Sequence, residues 1–289
     1  MTHNEVAGTA RTTAAIRARE TSLPDALFRD PFAEALAGPS AMAALRSMPE
    51  EMQQRFSTFT VVRTRIFDDW LMSVTSTGGI RQVVMLGAGL DSRAFRLNWP
   101  PGVTLWELDQ PSVLAAKASE LRDIGASPRC ERNTLAVDLA GESWPGELTD
   151  AGWRRELPTA WLIEGLLPYM APGEAFALLD AVSASTAAGS QLAADMVDRD
   201  SVAARNAYLA HLRKATPSTQ GAPFQFGTDD PELVLRERGW ANVQVLPAAD
   251  AAARFGRALA APAAGSLLQP RLWLVTAQRR MQGATDAAL

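Results

Sequence analysis

Residues 83–97 read VVMLGAGLDSRAFRL, and residues 106–111, a little further along the chain, read WELDQP. The first apolar run ends in Gly87 and Gly89, and the next apolar run leads to Asp109. This order predicts a strand, a glycine loop, a short helix and a second strand that ends in an acid. A glycine lets the backbone come close to a ligand, and an acid about 20 residues later can bind the hydroxyls of a ribose. The stretch therefore indicates the opening of a nucleoside-binding α/β unit.

The composition is that of an ordinary globular protein. The 289 residues carry 28 basic and 32 acidic side chains, a formal net charge of −4, and 47% of them are hydrophobic. Lys and Arg do not cluster along one face, so we expect neither nucleic acid nor an anionic membrane as the partner. Residues 1–20 lack the apolar core of a signal peptide, and no stretch reaches the ~20 apolar residues of a transmembrane helix. The single cysteine, Cys130, excludes an internal disulfide. We expect a cytoplasmic protein.

The hydrophobic pattern changes along the chain from helical to an alternation of strands and helices. The pattern of residues 1–80 is typical of helices. One of the predicted helices places Arg63 on a stripe that is otherwise largely apolar. From Val83 onward the pattern predicts seven strands, near residues 83–86, 103–106, 133–137, 159–163, 191–197, 243–246 and 271–277. Strands that alternate with helices in this way predict a mostly parallel, doubly wound sheet.

We expect one domain over residues 1–289. Within it the pattern separates four parts: an N-terminal helical cap at 1–80, a cofactor-binding core at 81–197, a polar lid insertion at 198–228, and the C-terminal part of the core at 229–289.

The residues after the glycines indicate which nucleoside ligand the loop holds. Ser92 stands where a dinucleotide-binding loop has its third glycine, and a loop with two glycines is also compatible with an ordinary tight turn. Asp91 would face the pyrophosphate of a dinucleotide, and such like charges repel strongly when desolvated. S-adenosylmethionine has no phosphate and carries a sulfonium and an ammonium. The loop therefore favours S-adenosylmethionine over a nicotinamide cofactor, which stays as an alternative.

Polar groups follow four of the predicted strands. They are the loop from Gly87 to Asp91, Asp109, Asp138 and Glu164. Ligands of open α/β sheets bind beyond the carboxyl ends of the strands, so we expect all four groups to meet in one crevice. Any one of these acids alone could be a helix cap or a solvated side chain.

Four motifs make a family resemblance specific: LGAGLDSRAFRL at 86–97, WELDQP at 106–111, VDL at 137–139 and WLIEGLLPYM at 161–170. They resemble the leucine carboxyl methyltransferase superfamily, and most closely its bacterial branch, which includes polyketide carboxyl O-methyltransferases of the tetracenomycin type. The resemblance covers about residues 9–280. It implies a class I methyltransferase fold of the Rossmann type and S-adenosylmethionine as cofactor.

The resemblance also implies roles for individual residues. Gly87 and Gly89, with Ala88 between them, would pack against the methionine part of the cofactor. Asp109 would take the ribose hydroxyls, and Asp138 with the backbone of Leu139 would hold the adenine edge. Glu164 would lie beside the transferring methyl group.

Arg63 would pair with the methionine carboxylate, although Arg65, two residues away, is an alternative match. From the residues alone, an arginine on an apolar stripe needs an anionic partner. A salt bridge from Arg63 to Asp68 or Asp91 would satisfy that need equally well.

The resemblance to the bacterial branch implies that the methyl acceptor is a carboxylate of a small molecule, such as an aromatic polyketide or similar secondary metabolite. A carboxylate is ionised at neutral pH and needs no general base, whereas a phenol or a carbon acid would need one. Bases are scarce: the two histidines are His3 and His211, and His211 lies in the lid insertion. His211 and Tyr169 are the candidate catalytic residues, although a solvated histidine and a packed aromatic ring are the simpler interpretations.

Further candidates line the acceptor side. Arg257 could steer an acidic substrate, and apolar residues of the insertion could line a site for a flat acceptor: Tyr208, Leu209, Leu212, Phe224 and Phe226. Equally, they could only pack the lid. We expect no metal site, and homodimer formation stays open.

Two other functions stay open. One is methylation of a hydroxyl or carbon atom of a phenol or keto acid, and the other is a cofactor-binding partner protein without catalysis.

Overall fold

The computed structural model describes residues 3–215, 222–259 and 271–280. The described residues that precede the sheet form three helices. They are α1 (His3–Ser22), α2 (Ala33–Arg46) and α3 (Glu50–Ser76). The sequence predicts a helix that stops at Gly38. The backbone does leave the helical conformation there, at φ 71°, but Pro39 starts a new turn at once and the helix continues to Arg46.

Within the described ranges, seven strands form one sheet, as the sequence predicts. They are β1 (Gln82–Leu86), β2 (Thr104–Asp109), β3 (Glu131–Ala136), β4 (Thr159–Ile163), β5 (Gln191–Val197), β6 (Trp240–Pro247) and β7 (Leu272–Arg279). Their order in the sheet is β3-β2-β1-β4-β5-β7-β6. Neighbours among the first five strands are parallel, and β7 runs antiparallel to both β5 and β6. The prediction of a mostly parallel sheet is confirmed.

Helices cover both faces of the sheet because the side chains of a strand point alternately to its two sides. In β1, Val83 and Met85 join the apolar core beneath α1, α2 and α3, while Val84 and Leu86 join a second core on the opposite face. The remaining helices are α4 (Arg93–Arg96), α5 (Pro111–Asp123), α6 (Trp144–Asp150), α7 (Pro172–Ala184), α8 (Arg199–Ala215), α9 (Pro231–Arg236) and α10 (Ala248–Ala253).

The strand order reverses between β1 and β4, and this point positions the site. β2 and β3 lie to one side of β1, whereas β4 and β5 lie to the other side. The loops that leave β1 and β4 therefore diverge and open a crevice at the carboxyl ends of the strands. Both strands are buried along their whole length, so the crevice rests on a rigid floor.

The predicted lid insertion contains α8 and the segment that returns to the sheet. Residues 216–221 of the insertion lie outside the described part of the chain, as do 260–270 and 281–289 of the C-terminal part. No helix among the described residues is long and apolar enough to cross a bilayer.

Candidate cofactor and acceptor site

A cavity of about 510 Å³ lies at the carboxyl ends of β1, β2 and β4. Nine residues that the sequence assigns to the cofactor all line it: Arg63, Gly87, Ala88, Gly89, Asp91, Asp109, Asp138, Leu139 and Glu164. Tyr169 lines the cavity as well. Side chains separated by up to 101 positions in the sequence thus meet where the strand order reverses.

The glycine loop is held close to the end of β2. The N–H groups of Gly87 and Ala88 both donate to the carbonyl of Leu108, at 2.9 and 3.1 Å. Gly87 has a φ of 69° and Gly89 a φ of 48°, which other L-residues rarely adopt. A Cβ atom on Gly87 would lie 3.1 Å from a methyl carbon of Leu166. The loop therefore needs glycine both for its backbone conformation and for space.

Asp109 connects that loop to β2. One carboxylate oxygen accepts the N–H of Gly89 at 2.6 Å, and the other accepts the N–H of Gln110 at 2.7 Å. Burial raises the pKa of Asp109, while the two backbone hydrogen bonds act against that rise. Each carboxylate oxygen keeps a further acceptor position. The arrangement can accept hydroxyl donors from a ligand in the cavity.

The far end of the cavity has one acid among apolar walls. Asp138 is exposed, and its carboxylate accepts the N–H of Ala140 at 3.0 Å. Val113, Val137 and Leu139 are buried beside it and line the same space. Apolar walls around a single acceptor suit a flat ring that carries an amino group.

Arg93 organises the other end of the cavity. Its guanidinium donates to Asp68 at 2.6 Å and to Glu164 at 2.7 Å, and it also pairs with Asp91. The side chain is 2% exposed. The sequence analysis missed this residue, although an arginine directly after the glycine loop and two positions from Asp91 was a signal for it.

The ion pairs keep two carboxylates of the cavity ionised. Burial opposes the ionisation of Asp91, but Arg93 together with the more distant Lys117, Arg17 and Arg96 outweighs it and lowers the pKa of Asp91 to about 2. Burial likewise opposes the charge of Glu164, whereas Arg93 and Arg63 lower its pKa. This end of the cavity therefore presents negative charge at neutral pH and suits a cationic group.

Arg63 has different partners from those that the sequence suggested. Its Nε donates to Glu164 and its Nη1 to Asp195, both at 2.9 Å. The alternative of a salt bridge from Arg63 to Asp68 or Asp91 is wrong, because both carboxylates pair with Arg93. Among the described residues, Nη2 of Arg63 has no hydrogen-bond partner and can bind a ligand carboxylate.

The alternative match, Arg65, faces away from the cavity. It pairs with Asp69 at 2.8 Å on the same helix and donates to the carbonyl of Leu27. Arg63 is the one of the two arginines that lines the cavity.

The two candidate catalytic residues lie in different places. The Tyr169 ring packs edge to face on Phe224, with ring centres 5.2 Å apart, and its hydroxyl is hydrogen-bonded to Thr9. Burial raises the pKa of Tyr169, so the phenol keeps its proton at neutral pH. His211 is exposed on α8 and does not line the cavity.

The other acceptor-side candidates mostly pack the fold. Arg257 pairs with Glu20 and Asp25. These acids neutralise the positive charge that could have attracted an acidic substrate. Leu209 and Phe226 are buried, Tyr208 is exposed, and Phe224 contacts Tyr169. The side chain of Leu212 lies outside the described part of the structure.

Helix α1 supplies a wall of the cavity that the sequence analysis did not predict. Thr9, Ala10, Thr13 and Arg17 line it, and Arg17 donates to the carbonyl of Leu90 at 2.6 Å. Ala222 and Gln225 of the predicted lid insertion line the cavity as well. No group of three or more His, Cys, Asp or Glu side chains suited to a metal ion occurs in the described ranges.

Comparison with known proteins identifies the relatives of the chain. The model of the family described as leucine carboxyl methyltransferase matches residues 10–183. A protein of Mycolicibacterium gilvum named "Putative S-adenosyl-L-methionine-dependent methyltransferase" is 37% identical over 282 residues, which cover 88% of this chain and 90% of that protein. A protein of the same name from Streptomyces avermitilis is 40% identical over 256 residues, covering 86% of this chain and 87% of the relative.

A solved structure supports the fold. The crystal structure of a "putative methyltransferase" from Thermobifida fusca superimposes with a TM-score of 0.56, at 16% sequence identity, over 94% of both chains.

Proposed function

This chain belongs to the leucine carboxyl methyltransferase family and is an S-adenosylmethionine-dependent methyltransferase, and from that premise we propose that it methylates a carboxylate oxygen of a small molecule. The single observation that carries the proposal is the chemistry of the cavity: Asp91 and Glu164 have lowered pKa values and Tyr169 has a raised one. Groups in these protonation states are poor proton acceptors at neutral pH. An acceptor that is already an anion suits such a site.

Two features of the cavity support its fit to the cofactor. Gln110 lines the cavity, and its Oε1 atom is buried with no hydrogen-bond partner among the described residues, so a donor from a ligand would satisfy it. A Cβ atom on Gly87 would lie 3.1 Å from the side chain of Leu166, so glycine is needed at this wall of the cavity. Both features are typical of a surface built for a polar ligand that approaches the backbone closely.

We assign the cofactor-binding residues from this arrangement. Asp109 would bind the ribose hydroxyls, and Asp138 with the backbone of Leu139 would bind the adenine edge. Gly87, Ala88 and Gly89 would face the methionine chain. Nη2 of Arg63 would bind the methionine carboxylate, and Asp91 and Glu164 would lie near the ammonium and the sulfonium.

When bound, S-adenosylmethionine supplies a methyl group on a positively charged sulfur. An acceptor oxygen forms the new bond to the methyl carbon as the bond from carbon to sulfur breaks, and that electron pair stays on the sulfur. The chain itself contributes position and charge. Arg93 holds Asp91 and Glu164 ionised and in place, and the rigid ends of β1 and β4 keep both reactants in line.

We further propose that the acceptor is a flat aromatic molecule of the polyketide type. Tyr169 lines the cavity and Phe224 packs against its ring, so this aromatic pair would offer an apolar surface to a planar acceptor. The resemblance to the bacterial branch of the family, which includes polyketide carboxyl O-methyltransferases, supports this substrate class.

The test uses S-adenosylmethionine labelled in its methyl group and an extract of bacterial secondary metabolites. A carboxyl methyl ester releases its label as methanol in mild alkali, whereas a methyl ether or a C-methyl group does not. We expect alkali-labile label in a small-molecule fraction. Label that resists alkali would contradict carboxyl methylation and favour a hydroxyl or carbon acceptor. An absence of transfer would contradict the proposed class of acceptor.

A further inference from the structure

Arg205 is a cation one contact removed from the cavity wall. It lies on α8, and in the part of the chain that the structure describes its Nε atom is buried without a hydrogen-bond partner. Among the described residues, no carboxylate forms an ion pair with it. Its guanidinium lies over the ring of Phe224, with 5.6 Å from the guanidinium carbon to the ring centre. Phe224 in turn contacts Tyr169, which lines the cavity.

The arginines inside the cavity differ from Arg205 in this respect. Arg17 pairs with Asp30 at 2.8 Å, and Arg63 and Arg93 each pair with at least two carboxylates. Removing a guanidinium from water without a counter-ion is unfavourable. An arginine that is partly buried, has no ion pair among the described residues and lies over a ring in contact with the cavity wall therefore points to an anion that arrives with the ligand.

The rim is fixed well enough to orient Arg205. The side chain of Asn206 donates to the carbonyl of Phe224 at 2.9 Å and accepts its N–H at 3.0 Å. Gln225 donates its backbone N–H to the carbonyl of Pro168 at 2.7 Å and its side-chain amide to the carbonyl of Tyr169 at 2.8 Å. The lid segment is thus attached to the turn that carries Tyr169.

The charge of Arg205 also acts at the cavity wall. Burial raises the pKa of Tyr169, and Arg205 opposes that rise more strongly than Arg63 does. The guanidinium of Arg205 therefore lies within electrostatic reach of the Tyr169 hydroxyl.

We propose that Arg205 determines acceptor specificity by binding an anionic carboxylate on an aromatic acceptor, with Phe224 and Tyr169 as the surface for the ring. This inference rests on the proposed function, since it takes the acceptor to be a carboxylate. A guanidinium binds a carboxylate through two parallel hydrogen bonds, and its planar group packs on an aromatic face. Because methylation converts the carboxylate into a neutral ester, Arg205 favours the acceptor over the product.

The experiment compares two probes of the same shape, 2-naphthoate and the neutral 2-naphthamide, titrated into the protein saturated with S-adenosylhomocysteine. We expect the wild type to bind the naphthoate about tenfold more tightly than the amide, the size expected for one charge-assisted pair. Arg205→Gln should lose most of that preference. The control is Arg199→Gln on the same helix as Arg205, which removes an exposed cation that pairs with Asp229. This variant should keep the preference for the naphthoate.

Three results would overturn the inference: no binding of naphthoate by the wild type, no preference for it over the amide, or an unchanged preference in Arg205→Gln. The urea midpoint of Arg205→Gln is measured in parallel, and we expect it to match that of the wild type because no ion pair is lost. The alkali test of the labelled product is independent. A preference that depends on Arg205 together with alkali-stable label would refute carboxyl methylation and retain the anion site.

Discussion

The carboxylate of Asp109 accepts the backbone N–H of Gly89 at 2.6 Å, so the glycine loop after β1 and the end of β2 form one unit. The loop lets a ligand come close to its backbone, and the carboxylate of Asp109 offers hydrogen-bond acceptors in the same cavity. Neither the loop after β1 nor the acid at the end of β2 would hold a nucleoside alone. Their connection at the point where the strand order reverses gives the ligand both at once.

Substitution of Gly87 separates backbone strain from loss of space. Gly79 and Gly87 both have a φ of 69°, but a Cβ atom meets nothing within 4 Å at Gly79 and Leu166 at Gly87. We expect Gly79→Ala to lower the free energy of unfolding by about 1–2 kcal/mol, the cost of the left-handed conformation. Gly87→Ala should cost a further ~1–3 kcal/mol from overpacking and should also weaken binding of S-adenosylhomocysteine. Urea unfolding measures the loss of stability in each variant. An equal loss in Gly79→Ala and Gly87→Ala would contradict the close contact between position 87 and Leu166.

Arg93 should be far more important for stability than an exposed arginine. Arg93→Met leaves the buried carboxylates Asp68, Asp91 and Glu164 without their shared partner, which we expect to cost about 3–5 kcal/mol. Arg65→Met removes a half-exposed pair with Asp69 and should cost less than about 1 kcal/mol. The comparison of the two urea midpoints is the measurement. Similar midpoints would show that the buried network does not stabilise the fold.

The sequence predicted the strands well and the ion pairs poorly. Strands such as β1 and β4 are buried on both faces, so they appear as short apolar runs that end in glycine or acid. The partner of Arg63 could not be found in that way, because it depends on how α3 packs over β4 and β5. Asp195, an acid within the apolar run of β5, was a signal for a buried cation that the sequence analysis did not use.

The wall from α1 shows the same limit. Nothing in the helical pattern of residues 1–80 says which helix faces the ends of the strands. Thr9 and Thr13 carry no charge, and the family resemblance of the stretch TARTTAAIRARE at 9–20 assigns them no role, yet they line the cavity. Placement of a helix is decided by the packing of whole faces, which local sequence does not specify.

Asp91 should make the free energy of unfolding depend on pH in the acidic range. Its pKa is about 2 in the folded protein against about 3.9 in an unfolded chain, so its contribution is complete above about pH 4 and disappears as the pH falls towards 2. The raised pKa values of Asp109 and Asp195 act in the opposite sense. We expect Asp91→Asn to be less stable at pH 7 and to lose less stability than the wild type between pH 4 and pH 3. Unfolding in urea at these three pH values tests this, and an equally steep loss in the variant would count against it.

Neither candidate base should be needed for methyl transfer to a carboxylate. His211 is exposed and does not line the cavity, and the phenol of Tyr169 keeps its proton at neutral pH. We expect His211→Ala and Tyr169→Phe to keep kcat within about threefold of the wild type, where loss of a general base typically costs at least ~100-fold. Turnover of labelled S-adenosylmethionine at saturating acceptor is the measurement. A collapse in either variant with intact cofactor binding would favour a phenol or carbon acceptor.

The central claim is that the cavity at the ends of β1, β2 and β4 binds S-adenosylmethionine with Asp109 on the ribose. Calorimetric titration of S-adenosylhomocysteine into the wild type, Asp109→Ala and the control Asp123→Ala, an exposed acid at the end of α5, tests it most directly. We predict that the wild type and Asp123→Ala bind alike, that Asp109→Ala binds about 10–100-fold more weakly, and that NAD and NADP do not bind. Unchanged affinity in Asp109→Ala, or a preference for a nicotinamide cofactor, would contradict the account.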